Sequence, residues 1–158
     1  MSDNVPISRV FIDEGKPEQV LISEGSLCMG YAECIAGRWD EGRRMIIEHL
    51  ADMYTVRLHE RSTSDYVERI CKERGIAYQE DRQKQELNIV LEAATRRFDE
   101  LHAPVLWSII KLGYQSVWNG YPITMTKVQH RYFVRDGKNR SSILAALGAK
   151  QIPNVEVD

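Results

Sequence analysis

The residues best suited to chemistry in this chain run together as Asp136-Gly137-Lys138-Asn139-Arg140-Ser141-Ser142, between a strand-like stretch and a helix-like one. A helix that starts here turns its unpaired backbone N–H groups outward, toward an anion. Gly137 leaves the backbone bare where a ligand has to come close. Lys138 and Arg140 bring positive charge, and a guanidinium can grip two phosphate oxygens at once. Asn139 and the hydroxyls of Ser141 and Ser142 add hydrogen-bonding groups. Types and order together describe a phosphate cradle. The plainer alternative is a glycine turn, a helix capped by Asn139 and two solvated cations. The spacing is not the GxxxxGK[ST] of a P-loop. Asp136 is the candidate catalytic group: its carboxylate can accept a hydroxyl proton or help hold Mg²⁺ beside the phosphates, against a turn-forming role.

Other residues gather around this loop with less definition. Trp107, Tyr114, Trp118 and Tyr121 flank Pro122-Ile123, and Trp118, in a glycine-rich stretch, is the base-stacking candidate. Asp13, Glu14 and Glu24 are alternative carboxylates for a phosphoryl-transfer site. Three cysteines (Cys28, Cys34, Cys71) are an odd number without metal spacing and read as packing residues in a reducing compartment. The four histidines stand far apart, so no metal site is expected.

At 158 residues one domain is expected. With 43% hydrophobic and 28% charged residues, neither disorder nor a fibrous chain is indicated. No apolar run is long enough to cross a bilayer, and MSDNVPISR lacks a signal-peptide pattern, so a cytoplasmic protein without membrane contact is expected. The net charge of −2 is unevenly placed: residues 102–158 carry seven Lys/Arg against three acids. That imbalance suits an anionic ligand and is too small to announce nucleic acid.

Several elements must position the loop. The β-branched run over residues 5–12 reads as one strand, ended by the turn residues 13–17, with a second extended piece over 19–23. A short helix is expected over 27–37. Asp40 can cap a helix with Met45, Ile46, Ile47, Leu50 and Met53 on its apolar side. Another is expected over 66–74, stopped by Gly75. Leu87, Val90, Leu91, Ala94, Phe98 and Leu101 recur at helical spacing over 80–101, and Pro104 is expected to start a separate helix over 104–112. Strands follow over 121–126 and 131–135, then a helix over 140–147 and a last strand over 154–157. The fold class expected is α+β, a small mixed sheet with helices over it.

The stretch from Pro122-Ile123 through Tyr-Phe-Val-Arg-Asp-Gly-Lys-Asn-Arg-Ser-Ser to Gln-Ile-Pro153 resembles the ParB/sulfiredoxin superfamily. ParB proteins carry a Gly-Glu-Arg-Arg run, a helix ending in glycine, then Ile-Pro and a strand. Gly137, Arg140, Gly148, Ile152 and Pro153 stand in that register. Gly113 before the Pro-Ile strand and the opening Val5-Pro-Ile-Ser-Arg-Val also resemble the superfamily. The likeness covers residues 104–158 well and 5–12 loosely. It implies one ParB/sulfiredoxin-like domain over residues 1–158, with a nucleotide-binding core at about 104–158 and a helical insertion at about 27–101.

In that superfamily the Gly-x-x-Arg loop holds nucleotide phosphates: CTP in ParB, ATP in sulfiredoxin, ADP in the archaeal free serine kinase. By position the resemblance implies phosphate contacts from Gly137, Lys138, Asn139, Arg140 and Ser141, with ATP, ADP or CTP and Mg²⁺ as the cofactor. The departures narrow the activity. Lys138 stands where sulfiredoxin has its reactive cysteine, which argues against sulfinic-acid reduction. Against the serine-kinase pattern DGHHR, Asp136, Gly137 and Arg140 remain while both histidines are replaced. The helix-turn-helix that follows in ParB is not seen before Asp158. Stand-alone members found among bacterial surface-polysaccharide genes show a similar order, as in Gly113-Tyr114, Pro122-Ile123 and Asp136 to Arg140. The expected function is a nucleotide-dependent phosphotransferase acting on a small hydroxyl compound such as a sugar or amino acid. The alternatives are a nucleotide-dependent switch without rapid turnover and, less favoured, a DNA-binding or nuclease-like protein.

Overall fold

The computed structural model describes residues 2–15, 17–60, 72, 73, 75, 82–114, 117, 118 and 121–158, with the side chains of 2, 55–60, 82–87, 117 and 118 left aside. The chain is α+β, with six strands in one mixed sheet and a layer of helices packed against it.

The β-branched run at the start does not make one strand. Ile7–Arg9 forms a 3-10 turn that splits it into β1 (Ser2–Pro6) and β2 (Val10–Ile12). Pro6 has no N–H to continue the ladder, and the next amide, of Ile7, turns to the Lys150 carbonyl at 2.9 Å. The two halves then serve different neighbours. β1 pairs antiparallel with β8 (Gln151–Val157), and β2 pairs parallel with β7 (Arg131–Asp136) and antiparallel with β3 (Val20–Leu21). Between them β6 (Thr124–Val128) runs antiparallel to β7 and parallel to β8, giving the order β1-β8-β6-β7-β2-β3. On a flat sheet β1 and β2 would stand about 19 Å apart, four strand spacings. Four Cα steps from Pro6 to Val10 reach about 15 Å at most. The sheet therefore curls, and its strands supply most of a core of Val5, Val10, Ile12, Ile123, Met125, Ile152 and Val155.

Two expected boundaries shift for identifiable reasons. The last strand begins at Gln151 and runs through Pro153 because a bulge absorbs the proline: Val5 pairs with Ile152 and Asp3 with Val155, and Asn154 takes φ of 56°. Both Ile152 and Val155 thus reach the core although they are three apart. The strand expected over 121–126 is divided. β5 (Tyr121–Pro122) pairs with β4 (Val117–Trp118) in a separate hairpin, and β6 starts at Thr124.

The helical layer comprises α1 (Ser26–Ile35), α2 (Trp39–Glu60), α3 (Arg82–Arg97) and α4 (Ala103–Leu112). Asp40 lies inside the first turn of α2, where its charge suits the helix dipole, and is not the cap. Ile46, Ile47, Leu50 and Met53 of α2 are buried as their spacing required. On α3, Val90 and Ala94 are buried but Leu91 is exposed. The helix expected over 66–74 lies outside the described residues except for Lys72 and Glu73, and Gly75 adopts φ of 67°.

Pro104 does not start a separate helix. α3 runs into α4 through a π turn, Phe98–His102, closed by the Ala103 N–H on the Phe98 carbonyl. The wider turn accommodates a proline that has no N–H and would crowd the carbonyl four residues back. Phe98 packs against Trp39 (ring centroids 5.6 Å), and Trp39 stacks on Trp107 at 5.2 Å. The last helix, α5 (Lys138–Ala146), lies between both layers: Ile143 joins the helical core and Leu144 the sheet core. Among the described residues no helix is long and apolar enough to cross a membrane.

Candidate functional site

A single residue turns β7 into α5. Gly137 does this at φ 92° and ψ 26°, a left-handed conformation. A Cβ there would fall 2.5 Å from Cγ1 of Ile123, so backbone torsion and the neighbouring Pro122-Ile123 segment both require glycine. The helix starts two residues earlier than its side chains implied, at Lys138, and Gly137 rather than Asn139 is its N-cap. No side chain caps it, and the first intrahelical bond is Ser141 N–H to the Gly137 carbonyl at 2.9 Å. The amides of Lys138, Asn139 and Arg140 thus precede the helical ladder and face outward along its axis.

They face a cavity of about 520 Å³ between the loop and the helical layer, a size that suits one small-molecule ligand. The loop wall is made by Arg135 through Arg140. The helical wall combines Leu27, Leu50, Met53, Leu101 and Val105 with Tyr54, His49, Arg97 and His102. Four guanidinium or ammonium groups (Arg97, Arg135, Lys138 and Arg140) line the space, and among the described residues Asp136 is the one carboxylate that does. Arg135 also pairs with the Asp158 carboxylate. Arg140 is buried, and loss of water pushes its guanidinium below the ordinary arginine value, while Tyr114 and Asp136 nearby work the other way.

The loop brings Asp136, Gly137, Lys138, Asn139 and Arg140 to this cavity, but not the two serines. Ser141 and Ser142 have no exposed surface and do not line it; their hydroxyls are buried without a hydrogen-bond partner among the described residues. One helical turn explains the difference, since residues past the first turn of α5 are closed between the two cores. Three of the four aromatic candidates lie elsewhere. Trp107 stacks on Trp39, Tyr121 is exposed and Tyr114 is half-buried, none of them lining the cavity. The side chain of Trp118 lies outside those described. Tyr54 of α2 is the aromatic residue that lines it.

Sequence reasoning missed the group most closely joined to the loop. His102, buried at the end of the π turn, meets Tyr31 of α1 and Asn139 of α5 in a closed ring of hydrogen bonds. Tyr31 Oη donates to Asn139 Oδ1 at 2.9 Å. The phenol oxygen is then left to accept from His102 Nδ1 at 3.2 Å, and His102 Nε2 accepts from Asn139 Nδ2 at 3.2 Å. Each residue gives one hydrogen bond and receives one. That pattern requires a neutral imidazole. Burial first, then the positive charges of Arg97, His49 and Lys138, push its pKa down to about 4. Burial likewise raises the Tyr31 phenol. The one available signal was a histidine two residues before a proline inside a helical period.

The alternative carboxylates are engaged or remote. Glu14 is buried and accepts the Ser26 N–H at the start of α1, Asp13 accepts the Gly15 N–H at 2.8 Å, and Glu24 closes a 3-10 turn; none lines the cavity. Cys28 and Cys34 are buried free thiols, raised by burial. Among the described residues no group of three or more His, Cys, Asp or Glu side chains could hold a metal ion on its own. No protein-family profile, curated protein or solved structure matches this chain.

Proposed function

We propose that the chain is a nucleotide-binding phosphotransferase of ParB/sulfiredoxin type, acting on a small hydroxyl compound such as a sugar or amino acid. One observation carries this reading: Lys138, Arg140, Arg97 and the first turn of α5 converge on a single cavity. Such a cluster holds the charge of a polyphosphate and of the transition state that forms as its terminal group departs. The apolar helical wall and Tyr54 offer a surface for a base. Asp136, exposed at the end of β7, receives the proton of the acceptor hydroxyl as its oxygen takes the phosphoryl group.

Mg²⁺ would neutralise the charge of the phosphates when bound. One lining carboxylate fits an ion that arrives with the nucleotide and is held by phosphate oxygens plus Asp136, since Mg²⁺ sites of that kind use one or two protein carboxylates. A nucleotide-dependent switch is the second reading. It is favoured by the shared cavity, because an anion there would bridge the loop and the helical layer. A role on DNA finds less support: the cations named here converge on one cavity, and a duplex needs a continuous basic surface.

The test is thermal unfolding with ATP, ADP, CTP or GTP and Mg²⁺, for the wild type, Arg140→Ala and Arg140→Lys. At a concentration of 100 Kd a ligand stabilises by about 2.7 kcal/mol. At least one nucleotide is expected to raise the wild-type midpoint, with affinity about tenfold or more weaker in both variants, because lysine lacks the bidentate grip. No shift with any nucleotide would refute the proposal. Transfer of phosphate to added serine or sugar separates the enzyme from the switch.

A further inference from the structure

Asn139 stands in the middle of the anion loop, yet both ends of its amide are engaged inside the protein. Oδ1 accepts from Tyr31, and Nδ2 donates to His102. Oδ1 is an acceptor and cannot hold a phosphate oxygen, and one of the two Nδ2 hydrogens is already given to His102, so at most one donor is left for an anion. The partners come from far along the chain, Tyr31 at a separation of 108 residues and His102 at 37. The ring therefore ties the first turn of α5 to two elements of the helical layer, α1 and the π turn.

The chemistry of the three groups is matched. An imidazole with one protonated nitrogen supplies a donor and an acceptor at a fixed separation, an amide supplies both, and a phenol is donor and acceptor on one atom. The backbone is adapted to the same end. Relative to a regular helix, a π turn holds an additional residue, and each residue advances the side-chain direction by about 100°. An unbroken α-helix from Arg82 onward would carry His102 off this line.

We propose that His102 and Tyr31 are positioning residues of the anion site: by holding Asn139 they fix the first turn of α5, so that its amides and Arg140 face the cavity. The inference rests on the anion-binding reading given above. It makes Asn139 first of all a structural anchor in the loop. A ring that served stability alone would, when broken, weaken the fold and leave the affinity of the folded molecules unchanged.

The experiment uses the full chain and calorimetric titration with inorganic triphosphate and with ATP, alongside circular dichroism for folding. Tyr31→Phe and His102→Leu are expected to bind triphosphate about tenfold more weakly than the wild type, since each leaves Asn139 half-paired. His102→Gln, which again offers one donor and one acceptor, is expected to restore affinity to within about threefold. In ¹⁵N spectra His102 of the wild type is expected as the Nδ1–H tautomer. Wild-type affinity in Tyr31→Phe, or an Nε2–H tautomer, would overturn the inference, and Tyr31→Phe suffices if His102→Leu fails to fold. A wild type that binds neither triphosphate nor ATP would instead overturn the proposed function, and the tautomer would still decide whether the ring exists.

Discussion

On one side of α5, Leu144 joins a core drawn almost wholly from strands, with Val5, Val10, Ile12, Ile123, Met125, Ile152 and Val155. On the other side, Ile143 joins a core of helices that also contains Tyr31, Phe98 and Leu106. The fully buried members of the first core are aliphatic side chains and Met125; the second borders a polar ring, a π turn and a cavity. Adjacent residues of one helix thus sort into two environments. The buried side chains of the sheet core need mainly shape and apolar surface. The helical core must also satisfy buried donors and acceptors, and that costs freedom of sequence. Chemistry collects at the seam because one helix terminus is held from both sides.

The comparison can be broken most forcefully at the shared helix. Ile143→Ala and Leu144→Ala should each destabilise by about 3 kcal/mol, the usual cost of emptying a buried aliphatic site. Because both cores hold α5, urea unfolding followed by far-ultraviolet dichroism and by tryptophan fluorescence should give one coincident transition in both variants. Separate transitions would show two independent layers.

Acid should expose the polar side alone. His102 is held at a pKa of about 4 in the folded chain, against 6.5 for an unperturbed histidine. Between those values the unfolded chain takes up a proton that the folded chain refuses, so stability falls as pH drops from 6.5 toward 4. The full loss is about 3 kcal/mol, and above 6.5 this group contributes no pH dependence. Urea midpoints at pH 7, 5.5 and 4.5 should therefore converge for wild type and His102→Gln at the acid end, with the variant the flatter of the two.

The smallest effect should come from Ser141 and Ser142. Their hydroxyls are buried without partners among the described residues, so changing either to alanine should leave nucleotide affinity unaltered and change stability by about 1 kcal/mol or less, in the stabilising direction. Weaker nucleotide binding in either variant would return these serines to the site.

The loop was legible because its signals are local. A glycine before Lys-Asn-Arg, after an alternating strand, specifies a turn, a helix start and a positive charge within a few residues. The sheet was legible in its class but not in its connections. Between Val5 and Ile12 the local mark is Pro6, which is also tolerated at a strand edge; that the strand changes partners there depends on the Ile7 amide being claimed by Lys150, far along the chain. His102 was hidden for a similar reason. Pro104 read as a helix start, which separated His102 from α4, and its partners are set by packing across three helices. Ser141 and Ser142 misled because a hydroxyl beside a cradle looks like a donor until the next turn of the helix is seen to be enclosed.

The pairing of β1 with β8 sets an order of events during synthesis. Ser2 lies opposite Glu156, so β1 has no partner on that side until residues 151–157 have been made. Until then its free edge can pair with whatever strand is nearby, and closure of the long stretch between β1 and β8 slows its final docking. An early-made strand of this sheet thus waits for its latest-made neighbour.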